Sequence, residues 1–157
     1  MRCSDVLGRL SENARKELER NVFRVLGRKL PLESALVQED SLRFIFGTLS
    51  AVEKKTLKLI VTHFGYTPFP QENLEEAAGW QMSGAEIHFG LMMLRQKGLI
   101  FSLKKTWGER LFVLPEETFP FWQDLLLPPL PFFRPIGDEE VLVLHERDGD
   151  VVQDLFF

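Results

Sequence analysis

Apolar residues recur at steps of three and four from Val6 through Leu7, Leu10, Ala14, Leu18 and Val22 to Leu26, with Arg, Lys and Glu between them. That period predicts a helix over 5–26, with Ser4 as its N-cap. Pro31 suits the first turn of a second helix over 32–37, and a third short one is expected from Asp40 or Ser41 to about Phe46, closed by Gly47. The clearest stretch follows. Ser50 and Glu53 form a capping-box pattern opening a helix with Val52, Leu57, Ile60, Val61 and Phe64 on one side, stopped by Gly65. Pro68 and Pro70 make 66–70 a turn, Glu72 to Ala78 reads as a short helix ended by Gly79, and Ser83 with Glu86 opens another that ends at Gly98.

At Leu99 the apolar period changes from 3.6 to 2. Two alternating strands, 99–105 and 109–114, are joined at Thr106-Trp107-Gly108, which reads as a hairpin tip. Helix, short helix, helix and hairpin is the order of a winged helix-turn-helix. Beyond Leu114 six of the nine prolines lie between 115 and 135, among Phe119, Phe121, Trp122, Phe132 and Phe133. One amphipathic helix over 116–126 is expected there, then an extended Pro128-Pro129-Leu130-Pro131 and a hairpin over 140–157 turning at 147–150. The expected fold is α+β, mostly α: an N-terminal helical cap (1–48), a winged unit (49–114) and a connector with an acidic β-hairpin (115–157).

Composition narrows the classes. With 45% apolar residues and 14 Phe the chain can build a core, and no run approaches the ~20 apolar residues of a membrane span. The start, Met1 to Asp5, has no apolar segment of the secretory kind, and Cys3 is the single cysteine. A cytoplasmic location is therefore expected, with Cys3 an inert residue near a frayed end. The net charge of −4 hides an asymmetry of +4 over 1–114 and −8 over 115–157. That split fits a boundary, a tail that shields or mimics a partner, or simply a solvated acidic hairpin.

Catalytic patterns are missing. No glycine-rich loop ends in Gly-Lys-Ser/Thr, and no paired-glycine dinucleotide fingerprint is present. His63, His88 and His145 lack ligand spacing to each other or to Cys3. Asp148, Asp150 and Asp154 lack the glycine and glutamate that complete a calcium loop. The expectation is a protein that is not an enzyme and has no cofactor or metal.

Nucleic-acid affinity needs cations against phosphates, and specificity needs side chains at base edges. On a helical wheel, Ile87, Leu91, Leu94 and Gly98 share one face of the last helix and must be core. The opposite face gathers Ala85, Phe89, Met92, Met93 and Gln96, with no base reader in its middle. Phe89, Met92 and Met93 are then either covered by the N-terminal helices or available to a protein partner or a second copy. The expected wing suits DNA better, because Lys104, Lys105 and Arg110 flank Trp107, which could stack on an unpaired base.

Three short runs also carry a resemblance: Leu49-Ser50-Ala51-Val52-Glu53-Lys54-Lys55-Thr56-Leu57, Met92-Met93-Leu94-Arg95-Gln96-Lys97-Gly98-Leu99-Ile100, and Leu111-Phe112-Val113-Leu114-Pro115-Glu116-Glu117. Over about residues 40–125 the chain resembles the winged-helix module of bacterial helicase-associated proteins related to the N-terminal domain of XPB-type helicases. The turn from Leu94 to Ile100 is shared with MarR-like regulators. The resemblance implies an accessory module without a motor, belonging to a helicase-associated or DNA-processing protein. The alternatives are a protein-interaction or dimerisation module with no nucleic acid, or a MarR-like transcription regulator.

Overall fold

Gly8 and Ser11 break the first expected helix. The computed structural model, which describes residues 1–104 and 108–127, has α1 (Cys3–Leu7) and α2 (Glu12–Leu26) in place of one helix over 5–26. The Ser11 hydroxyl accepts from the Ala14 amide, so a new N-terminus is capped inside an apolar period that runs unbroken through it. α3 (Leu32–Ala35) is one turn, with Pro31 at its N-cap, and α4 covers Glu39–Gly47. The remaining helices are α5 (Ala51–His63), α6 (Gln71–Ala78), α7 (Gly84–Gln96) and α8 (Phe119–Leu126), the last preceded by a 3-10 turn at Glu116–Thr118.

Between α7 and α8 lies an antiparallel hairpin, β1 (Phe101–Lys104) and β2 (Arg110–Val113), paired from Phe101 opposite Val113 to Lys104 opposite Arg110. The described part of the protein is thus α+β and mostly α. The expected extended prolines and the hairpin over 140–157 lie outside the described residues, as do Lys105, Thr106 and Trp107.

The hairpin separates two apolar clusters. Alternate side chains of a strand point to opposite sides. Phe101 and Val113 face Val6, Leu7, Leu18, Val22, Leu32 and Leu36 of the N-terminal helices. Ile100, Phe112 and Leu114 face the larger cluster with Leu57, Ile60, Ile87, Leu91, Leu94 and Trp122. Gly98 admits this arrangement: its φ is 82°, and a Cβ there would stand 2.7 Å from Leu36 Cδ2.

The N-terminus is held, contrary to a frayed end. Glu116 N donates to Met1 O at 2.8 Å, and Cys3 N donates to Glu117 Oε1 at 2.7 Å. Cys3 is 1% exposed. Burial pushes its thiol up to about 12, and the Glu117 and Glu33 carboxylates add to the rise. Any inertness of this thiol would then come from burial rather than from position near an end.

Candidate functional site

The outward face of α7 is built by what its inner face needs. Ser83 Oγ accepts from the Glu86 amide at 3.1 Å while Glu86 Oε1 accepts from the Ser83 amide at 2.9 Å, so the expected capping box starts the helix. Ile87, Gly90, Leu91 and Leu94 are buried. Gly90 sits against α5 so closely that a Cβ would fall 2.1 Å from Thr56 Oγ1. At the other end Lys97 Nζ donates to Glu53 Oε1 at 2.8 Å and to Thr48 O at 3.2 Å. Glu53 therefore completes only half of the box expected at the start of α5. Its amide donates to Ser50 Oγ, while its carboxylate accepts hydrogen bonds from the Ser50 hydroxyl and Lys97 Nζ.

With its inner side fixed, α7 presents Gly84, Ala85, Glu86, His88 and Phe89 outward. Of the three apolar residues expected there, Phe89 is exposed at 49%, whereas Met92 and Met93 are half-buried and Met92 packs on the larger cluster. For Met92 the N-terminal helices contribute to the difference. α2 stands across from the C-terminal half of α7, leaving an open cleft of about 290 Å³ between Leu18, Asn21, Met92, Arg95, Gln96 and Phe101. Among the described residues, Ala85, Glu86, His88 and Phe89 in the N-terminal half of α7 are exposed.

Sequence reasoning missed Trp80. It lies in the turn between α6 and α7 and is 94% exposed, the most open of the large apolar side chains described. The stretch of chain it lies in, 59–94, carries the acidic residues Glu72, Glu75, Glu76 and Glu86 and no Lys or Arg. Glu72, Glu76 and Glu86 are exposed, and Glu75 accepts from Gln71 Nε2 at 2.8 Å. The missing cations were legible in the sequence; the exposure of one tryptophan was not.

The expected wing contact is described only in part. Lys104 and Arg110 are both exposed, stand directly opposite each other across the hairpin, and have no ion pair among the described residues. Like charges so placed repel, which is unfavourable unless an anion is brought between them. His88 is exposed with its Nδ1 3.1 Å from Gln71 Oε1, a surface residue as expected. No cluster of three or more potential metal ligands occurs among the described residues, and none of their helices is long and apolar enough to cross a membrane.

Compared with family models, with curated proteins and with solved structures, the chain matches none of them significantly.

Proposed function

We propose that residues 49–114 form a winged helix acting as a non-enzymatic binding module, and that its helix-turn-helix face docks a protein rather than DNA. The winged-helix reading rests on element order and on one bridge. Phe69, between α5 and α6, exchanges two backbone hydrogen bonds with Phe112, at 2.9 and 2.7 Å, on the edge of β2 away from β1. A third, one-residue strand in that position is what a winged helix requires.

The observation that carries the docking reading is the surface of α6 and α7 itself. Exposed Trp80 and Phe89 lie within a stretch of 36 residues that has four glutamates and no Lys or Arg. Duplex DNA would meet carboxylates where its phosphates need cations. A protein partner gains from burying a tryptophan, the side chain most often found at the energetic centre of interfaces. An accessory role in a larger DNA-processing assembly is compatible with this face, because such a module can dock on a motor without touching DNA.

The test is a photo-crosslinking residue placed at Ala85 in the full chain in its own cells. Adducts that survive nuclease and are lost to protease are expected; adducts lost to nuclease, or none, would overturn the reading. Lys104 opposite Arg110 favours a second reading, nucleic acid held by the wing. Lys104→Ala/Arg110→Ala would then weaken binding of duplex and single-stranded DNA alike and flatten its dependence between about 50 and 200 mM salt. Unchanged affinity removes that reading.

A further inference from the structure

The acidic, aromatic face of α6 and α7 has a counterpart on the same protein. Along α2, Arg20, Phe23, Arg24 and Gly27 fall at steps of three and four and so share one side of the helix. Arg20, Arg24, Arg28 and Lys29 are exposed, have no ion pair among the described residues, and lie in a stretch, 20–32, without any Asp or Glu. In their midst Phe23 is exposed at 47%.

Resting on the docking reading above, we propose that the occupant of the Trp80 and Phe89 face is a second copy of this chain, which presents the Arg20, Phe23 and Arg24 side of its α2. Three features select this mate. Charge is the first, since exposed Glu72, Glu76 and Glu86 meet Arg20, Arg24, Arg28 and Lys29. Shape is the second. Each aromatic ring has a small residue one helical turn away on its own side: Ala85 four before Phe89, and Gly27 four after Phe23, with open space over Gly27. Two helices running parallel can seat each ring over the other's small residue. The third feature is an exclusion. A symmetric pairing of the α7 face with itself would set Glu72, Glu76 and Glu86 against their own copies, which repels. The association is therefore head-to-tail, a geometry that closes into a ring or extends as a filament.

Sedimentation velocity of the full chain, as a function of protein and salt concentration, reads this directly. The wild type is expected to self-associate, and less so at higher salt. Glu72→Lys/Glu76→Lys and Arg20→Glu/Arg24→Glu change exposed side chains with no ion pairs among the described residues, so both variants are expected to keep their fold, checked by circular dichroism. Each alone should be monomeric. Mixed in equal amounts they regain complementary charge at both junctions, one with the native signs and one with the signs exchanged, and should associate again. Trp80→Ala, which leaves charge untouched, should weaken association of the otherwise wild-type chain at least about tenfold. A wild type monomeric at every concentration overturns the proposal, as does association indifferent to both charge reversals or a mixture that stays monomeric. None of these outcomes decides the docking reading, which the nuclease and protease sensitivity of crosslinks at Ala85 judges separately.

Discussion

On its inner side α7 carries a buried Gly90 against Thr56 and, at its C-cap, a half-buried Lys97 against Glu53; on its outer side it carries the exposed Ala85 and Phe89. The inner side is specified by contact. Helices α5 and α7 approach so nearly at Gly90 that no side chain fits, and a 2.8 Å ion pair locks the C-terminus of α7 to the first turn of α5. At the N-terminal half of the outer side Glu86 caps the helix and His88 meets Gln71, whereas Ala85 and Phe89 are exposed. Phe89, exposed at 49%, and Trp80, exposed at 94%, gain little from folding, which leaves both rings to the docking face proposed above.

The largest expected effect breaks the inner side. Lys97→Ala leaves the Glu53 carboxylate, 5% exposed, without its cation, and should cost about 3 kcal/mol in denaturant unfolding. Adding Glu53→Gln should recover part of that loss; no recovery would mean that Lys97 acts through packing alone. Gly90→Ala should cost about 2 kcal/mol, because the gain of ~1 kcal/mol in helix propensity is outweighed by overlap with Thr56. A Gly90→Ala/Thr56→Ala pair should be more stable than Gly90→Ala alone.

The outer side should behave oppositely. Trp80→Ala and Phe89→Ser are expected to change stability by no more than about 0.5 kcal/mol, since neither ring is buried. If Phe89→Ser unfolds the protein, the ring is core and the distinction between the two sides fails.

The smallest effect lies away from α7, in the cluster beneath the N-terminal helices. A buried thiol held neutral in the fold ionises first in the unfolded chain. Its stabilising effect is full below about pH 9 and is lost as pH rises toward about 12. Cys3→Ala should remove that alkaline decline, and the native thiol should resist alkylation at pH 8 until the protein is unfolded. Rapid native alkylation would show Cys3 to be open.

Much of the helix and strand order over 49–114 was legible because it is punctuated locally: Ser83 and Glu86, Gly79, and the change of period at Leu99 each act within a turn or two of chain. The break at Gly8 was hidden by an apolar period that continues across it. Phe69 forms a single bridge, too short to show any alternation, and its partner lies 43 residues away. Lys97 finds Glu53 across 44 residues, a distance over which no spacing rule operates. The absence of Lys and Arg over 59–94 could be read directly, and it argues against DNA at α7 as strongly as the apolar residues do. Exposure of Trp80 could not be read, because a lone tryptophan in a turn packs as often as it projects.

The central claim is that the outer face of α6 and α7 is not a nucleic-acid surface. The chain has three indole N–H groups, at Trp80, Trp107 and Trp122, of which Trp122 is fully buried and Trp107 lies in the segment expected to form the wing tip. Their proton–nitrogen NMR signals, followed during titration with duplex DNA at about 50 mM salt, separate the two surfaces in one spectrum. The account expects the Trp80 signal to stay in place whatever Trp107 does; a Trp80 signal that moves with added DNA would contradict it.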